Sequence, residues 1–348
     1  MERFEVAIVG GGPAGLACAR DLAANGRRVV VIEAQPVIGP KICAGGITWA
    51  GLQDGIPASL AERRFAVQHV HTPWQTVRLE AGHPLVVTMS RARLGEWMAQ
   101  QAKAAGAEII SNCRVEEIEP ERLHTDQGKI GCRFLVGADG SKSLVRRFLG
   151  LDRRSPGGGR PKGIGLGVQY WLQGVWPRME WHLVPRRFGH GYGWIFPHGD
   201  RCSVGAYAGW PISGRRLARA LNQWLGDLGV AEARKNLRQE AFPIRYDFRG
   251  WRFGAVFLAG DAAGLASALT GEGIHPAIVS GRAIAATILG QNGERLLAPL
   301  LARHRKHRRY QRLAALGPLA TRLLGEGLLL ALRSRLATFS TLEMTGKR

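Results

Sequence analysis

Acidic residues are scarce in this chain of 348 residues: 27 Asp and Glu stand against 48 Lys and Arg, a formal net charge of +21. A field of that sign draws anions, whether phosphorylated small molecules, acidic lipid surfaces or nucleic acid, and carries no information about fold. Cysteine is scarce too. Cys18, Cys43, Cys113, Cys132 and Cys202 form no CxxC pair and no metal-like spacing with histidine. That argues against a disulfide framework and a metal site, and fits a reducing, cytoplasmic compartment. No uninterrupted apolar run reaches the roughly 18 residues that a bilayer-crossing helix needs. The small apolar stretch Val6–Ala19 is broken by Gly10, Gly11, Gly12 and Pro13 and has no basic leader, so it does not read as a signal peptide. Internal repeats are missing as well.

What is plentiful is glycine, 47 residues, in a chain that is 45% hydrophobic. A core is therefore available, and the glycines point to tight turns and close backbone approaches to a ligand. The opening reads as strand Phe4–Val9, turn Gly10–Gly15, helix Leu16–Asn25 stopped by Gly26, and strand Arg28–Glu33. Continuous apolar strands of this kind suit a parallel sheet covered on both faces. Ala34–Gly55 reads as a loop and Phe65–Thr88 as short strands. Ala92–Ala105 reads as a helix; Glu108–Ile110, Val115–Ile118 and Arg133–Val136 read as strands. A Pro/Gly-rich linker, Ser155–Gly163, separates these from aromatic-rich runs at Gly165–Val175, Met179–Val184, Tyr192–Phe196 and Cys202–Ala208, which suggest an antiparallel sheet. After a helix at Leu217–Leu228 the buried-strand pattern returns at Phe253–Leu258, followed by a helix at Pro276–Leu289.

Gly10-x-Gly12-x-x-Gly15 follows a strand and opens a helix, and Glu33 ends the next strand about 20 residues on. Gly10 permits the turn, Gly12 admits a pyrophosphate, and Gly15, with Ala14 beside it, lets helix and strand pack. The helix N-terminus offers unpaired N–H groups to the phosphates. Glu33 is placed to accept from ribose hydroxyls, so the nucleotide expected is an unphosphorylated ADP moiety. The fingerprint alone leaves NAD and FAD open.

Two later segments bear on that choice. Val136-Gly-Ala-Asp139-Gly140 and Leu258-Ala-Gly260-Asp261-Ala-Ala-Gly264 resemble the second and third signatures of the FAD-dependent family typified by para-hydroxybenzoate hydroxylase. The resemblance implies FAD as cofactor, Asp261 at the ribitol chain, Asp139 in the flavin region, and Arg91 and Val115 at the ADP half. Lys41-Ile-Cys43-Ala44-Gly45-Gly46, Tyr192-Gly-Trp194-Ile-Phe196-Pro197 and Leu269-Thr-Gly271-Glu-Gly273-Ile274 resemble the geranylgeranyl reductase branch. That branch implies reduction of isolated polyprenyl double bonds. Cys43, Ala44 and Gly46 would lie beside the flavin, Gly271, Gly273 and Ile274 over its ring, and Cys43 with Tyr192 and Trp194 at the reaction centre. Ser267-Ala268, without the usual proline, and His275-Pro276 depart from the branch pattern.

Tyr192, Trp194 and Phe196 alternate along a strand and share one face, an aromatic wall suited to a slender apolar substrate. His275 is a further substrate-side candidate. The basic C-terminal segment has eleven Lys and Arg from Arg303 onward against Glu326 and Glu343. It reads either as an interfacial segment on anionic lipid or as a helical pair with a solvated basic face.

The fold expected is α/β, a Rossmann-like FAD-binding domain with an inserted antiparallel β-sheet substrate domain and a C-terminal helical segment. The boundaries are 1–64, 89–160 and 250–292 for the FAD-binding domain, 65–88 and 161–249 for the substrate domain, and 293–348 for the tail. The function expected is an FAD-dependent oxidoreductase of the geranylgeranyl reductase type, cytoplasmic or peripheral at a membrane. It would take an isoprenoid or other apolar substrate and electrons from ferredoxin, a quinol or NAD(P)H. An aromatic monooxygenase using NAD(P)H and oxygen, and a flavin-bearing RNA-binding protein, are the alternatives; no specific nucleic acid and no metal are expected.

Overall fold

A computed structural model describes residues 1–53, 55–152, 163–209, 211–230, 232 and 236–344. The linker expected at Ser155–Gly163 lies outside them except for Gly163. The continuous apolar runs form a sheet. Glu2–Val9 pairs in parallel with Val29–Ile32 on one side and Gly128–Gly137 on the other, and Glu108–Ile110 and Val256–Leu258 extend it outward, again in parallel. Consecutive residues Val6, Ala7 and Ile8 are all fully buried, which only a sheet covered on both faces requires. Helices Pro13–Ala23, Arg91–Ala104 and Ile274–Ile288 contribute buried residues to this core. A hairpin of Val115–Glu119 and Arg122–Thr125 is attached to Gly128–Gly137.

The aromatic-rich half forms a second, seven-stranded sheet in the order Glu240–Arg245, Ile164–Gln173, Arg201–Ala208, Tyr192–Pro197, Glu180–His182, Val67–His71 and Thr76–Glu80. All its pairings are antiparallel except that of Glu180–His182 with Val67–His71. The architecture is thus the expected α/β one.

Three local readings change. Ala34–Gly55 is not loop throughout, because Gly46–Thr48 pairs with Val86–Thr88, which pairs in turn with Arg63–Phe65 in a small third sheet. Phe253–Leu258 is a two-stranded turn rather than one strand, since Gly254 takes φ +64 between Arg252–Phe253 and Val256–Leu258. The first helix starts at Pro13, three residues early, because proline at the first turn needs no N–H partner.

The tail is a pair of helices, Gly293–Ala314 and Pro318–Arg333. Leu297 and Leu300 of the first join the core of the parallel sheet. Leu329 and Leu332 of the second pack on Val70 and Val77 of the large sheet, and Glu326 accepts from Thr72 Oγ1 at 2.7 Å and Gln75 Nε2 at 2.9 Å. Among the described residues no helix is long and apolar enough to cross a membrane.

His304 and His307 hold the first tail helix against the loop after Asp261, with His307 Nδ1 2.8 Å from Ser267 Oγ. Burial pushes both imidazoles down to about 4. They are therefore neutral when folded but take up protons near 6.5 when unfolded, so the unfolded state binds more protons between these values and acid destabilises. Melting temperature should accordingly fall as pH drops from about 6.5 towards 4. The doubly substituted His304→Asn/His307→Gln protein should show a flatter slope over that interval; an unchanged slope would assign the acid sensitivity elsewhere.

Candidate active site

The fingerprint glycines have three different surroundings. Gly10 has φ +106, and a Cβ there would lie 2.5 Å from Ala138 O. A Cβ on Gly15 would lie 2.1 Å from Gly10 O. These two serve the turn itself. Gly12 is different: it has ordinary extended backbone, φ −81, and the nearest atom to its missing Cβ is Ala138 O at 4.0 Å. The space in front of it is open, and the helix it begins has no side-chain cap. Ala14 is packed from behind by the helix Ile274–Ile288, where a Cβ on Gly281 would come within 2.2 Å of Ala14 O. Glu33 orders the mouth of the same turn by accepting from Gly11 N at 2.7 Å and Gln35 N at 2.8 Å. Val115 lies two residues beyond Cys113, whose N–H bonds Glu33 O, but its own side chain is buried in the core.

From this turn a line of polar groups leads to the second sheet. Arg91 begins its helix just after the capping Ser90, is buried, and has Nη1 without a hydrogen-bond partner. Desolvation pushes its guanidinium down, while Cys43 and Asp261 are near enough to oppose that shift. The cysteine loop and the third motif therefore both approach Arg91. Asp261 accepts from Ser141 Oγ at 2.9 Å, and a Cβ on Gly273 would lie 3.3 Å from Asp261 Oδ1. Gly273 precedes Ile274–Ile288, a second helix N-terminus without a side-chain cap. Asp139 divides its carboxylate: Oδ2 accepts from Leu144 N at 2.6 Å and Val145 N, holding a short helix, Oδ1 is buried without a hydrogen-bond partner, and the backbone of Ala138 and Asp139 backs Gly10.

An open glycine at an uncapped helix start, a buried arginine nitrogen without a partner and a second uncapped helix N-terminus fit an extended, doubly phosphorylated flavin dinucleotide.

Beyond them lies a narrow, mostly apolar cavity of about 180 Å³, bounded by Cys43, Ala44, Gly46, the aromatic strand and the loop Leu269–His275. Tyr192, Trp194 and Phe196 share its wall, joined by Trp181, whose ring lies 5.3 Å from Tyr192 and 4.7 Å from Phe196. Their polar atoms are occupied. Tyr192 OH donates to Thr270 O at 2.5 Å and Trp194 Nε1 to Ser203 Oγ at 3.0 Å. Burial pushes the Tyr192 phenol up, so it stays protonated. Tyr207 OH donates to Ala268 O at 3.0 Å, and the two tyrosines together tether the loop over the cavity.

Cys43 is the one partly exposed cysteine of the five. Burial pushes the Cys132 thiol up to about 11 and those of Cys18 and Cys202 higher still. Gly45 N donates to Cys43 Sγ at 3.4 Å. On its other side Cys43 borders an open pocket of about 350 Å³ with Lys41, Arg91, Trp171 and Arg201. His275 is buried on the cavity's far wall.

Two groups escaped the sequence reading. Glu272, inside the Gly271–Ile274 loop, is half-buried in the wall; Thr48 Oγ1 donates to Oε1 at 3.4 Å and Met344 N to Oε2 at 2.9 Å. Burial raises its carboxyl above the usual range, opposed by His275. His198 lies between the Glu62 carboxylate and Ala44 O, 3.0 Å from the latter, and pins the cysteine loop. Its place directly after Pro197 was the available signal.

Known proteins agree with this geometry. Residues 3–313 match the FAD binding domain family. A chloroplastic geranylgeranyl diphosphate reductase of Oryza sativa is 28% identical over 325 residues, covering 85% of this chain and 69% of that protein. Digeranylgeranylglycerophospholipid reductase 2 of Methanothermobacter thermautotrophicus is 28% identical, covering 78% and 74%. Among solved structures, a geranylgeranyl bacteriochlorophyll reductase-like protein of Thermoplasma acidophilum superposes with TM-score 0.73 at 21% identity over 98% of this chain and 90% of its own. PqsL of Pseudomonas aeruginosa, described as a probable FAD-dependent monooxygenase, follows with TM-score 0.66 at 20% identity over 98% and 100%. The chain belongs to the FAD binding domain family and is an FAD-dependent oxidoreductase, similar at 28% identity to proteins named as geranylgeranyl and digeranylgeranylglycerophospholipid reductases.

Proposed function

We propose that this enzyme saturates isolated C=C bonds of an isoprenoid substrate. The observation that carries the reading is the narrow apolar cavity walled by Trp181, Tyr192, Trp194 and Phe196, with Cys43 at one end and the tethered Leu269–His275 loop at the other. An unactivated alkene has no carbonyl for a protein to polarise, so what it needs is a dry, shaped slot and a proton source near the reacting carbons. The relatives named as geranylgeranyl and digeranylgeranylglycerophospholipid reductases support the substrate class.

Bound FAD, once reduced, supplies the hydride; the protein does the rest. Gly12 and the helix behind it receive the pyrophosphate, Arg91 adds positive charge along the cofactor, Glu33 and Asp261 accept from sugar hydroxyls, and Ala44, Gly46, Gly271, Gly273 and Ile274 frame the ring. Tyr192 positions the loop through Thr270 O. Trp194 and Phe196 exclude water. The proton goes to the neighbouring carbon from Cys43 Sγ, the wall's partly exposed thiol, which is reloaded from the open pocket it also borders. Electrons come from a reducing partner, whether ferredoxin, a quinol or NAD(P)H.

The test is anaerobic. Reduced holoenzyme mixed with geranylgeranyl diphosphate should recover its 450 nm band while the lipid gains two hydrogens. Cys43→Ala should slow that step by about 100-fold, the scale of a lost general acid, while keeping the flavin bound. Reduced enzyme that ignores every prenyl acceptor yet hydroxylates an aromatic in oxygen would overturn the reading in favour of a monooxygenase.

A further inference from the structure

We propose that the C-terminal helical hairpin docks the protein on an anionic lipid bilayer. The two readings left open by the sequence, packed helical pair and interfacial segment, occupy adjoining sides of the same helix. On Pro318–Arg333 the inward face buries Gly325, Glu326, Leu329 and Leu332. Leu319, Leu323 and Leu330 follow the i, i+4, i+11 spacing of one outward stripe, and all three are exposed. Leu316 in the connecting turn and Leu336 just past the helix are 78% and 87% exposed, and Leu313 adds the last turn of the preceding helix. Elsewhere among the described residues exposed large apolar side chains occur singly, as at Val37, Phe148 and Val175. A run of leucines standing in water on one hairpin marks a surface that is covered in use.

Charge identifies what covers it. Arg305, Lys306, Arg309, Arg312, Arg333 and Arg335 are exposed along the same hairpin. Its acids leave that side free of negative charge near the connecting turn: Glu326 is buried against Thr72 and Gln75, Glu343 just past the hairpin is buried too, and Glu294 is exposed only at the far start of the first helix. The exposed side is thus leucine flanked by cation, the composition of an element that lies in the headgroup region of an acidic membrane. A second copy of this chain would bring arginine against arginine in a protein of net charge +21.

The surface also continues inward. A groove of about 1170 Å³ is bounded by Leu296, Leu332, Arg333 and Arg335 of this segment, and it shares His275, Phe339 and Glu343 with the walls of the apolar cavity. If the isoprenoid reading holds, that groove is where a lipid chain leaves the bilayer. The docking itself rests only on the surface.

Sedimentation of the FAD-loaded full chain with vesicles separates the two. Vesicles containing phosphatidylglycerol should carry down at least about tenfold more protein than pure phosphatidylcholine, because both terms act together. Leu319→Ser/Leu323→Ser/Leu330→Ser should weaken that binding by about tenfold at unchanged 450 nm absorbance and melting temperature. Val175→Ser, an equally exposed apolar residue outside the patch, should bind like the parent. Arg309→Ser/Arg312→Ser/Arg333→Ser/Arg335→Ser should erase the preference for acidic lipid. Equal sedimentation with both lipids, full binding by the leucine variant, or a dimer abolished by that variant without any vesicle binding would each overturn the proposal. No prenyl substrate enters the assay, so its failure leaves the reductase reading standing, and an inactive reductase leaves docking standing.

Discussion

Changing Gly12 to valine is expected to yield a folded, colourless protein. The residue has extended backbone that any amino acid adopts, and its missing Cβ points into space whose nearest atom, Ala138 O, is 4.0 Å away. Folding therefore costs little. The branched side chain would instead stand in front of the uncapped start of Pro13–Ala23, where the pyrophosphate is expected to sit. Losing two charge-assisted hydrogen bonds there, about 3 kcal/mol, weakens FAD by about 100-fold. Gly15→Ala makes the contrast. Its Cβ would sit 2.1 Å from Gly10 O, so the turn must rearrange and the melting temperature should fall along with the 450 nm band. Titration with FAD alongside thermal melting checks both. A valine variant that keeps its flavin would show that the dinucleotide lies elsewhere.

Arg146→Ala is expected to cost about 3–5 kcal/mol of stability, the range for removing one partner of a buried ion pair. The Arg146 side chain is wholly buried and holds four acceptors: Asp152 Oδ1 at 3.0 Å, Ala262 O at 3.1 Å, and Asp247 O and Oδ2 at 3.2 and 3.0 Å. Arg245 shares Asp152 through a short contact. Burial already pushes the Asp247 carboxyl up, and loss of the nearer guanidinium would leave it with less compensation. Because Ala262 follows Asp261 directly, the helix presenting Asp261 should loosen and FAD retention should fall too. Urea unfolding of holoprotein measures the first effect and ultrafiltration of the flavin the second. A loss under about 1 kcal/mol would show that Arg245 takes over both carboxylates.

The glycine turn was legible locally. Gly10 and Gly15 pack within the turn and Glu33 bonds Gly11 N across it, so a spacing rule captures the turn's geometry. The aromatic strand was equally legible, since alternation alone puts Tyr192, Trp194 and Phe196 on one face. Their polar ends were not: Tyr192 OH reaches Thr270 O and Trp194 Nε1 reaches Ser203, partners separated in sequence. Asp139 was read as a cofactor neighbour from its motif; its Oδ2 also holds the helix start at Leu144 and Val145 while Oδ1 stays buried without a hydrogen-bond partner, a local turn geometry that the motif does not encode.

The chain's own order of residues determined the α/β class, the dinucleotide turn and the flavin, because each follows from short-range spacing and from the period of apolar side chains. Tertiary structure alone decided that Cys43 and Asp261 come near enough to act on the Arg91 charge, that Glu272 lines the cavity and that His198 clasps Ala44. It also decided that the tail leaves a row of leucines exposed and buries Glu326 and Glu343. Those outcomes depend on which faces of distant elements pack together, and burial and desolvation arise only after that packing exists.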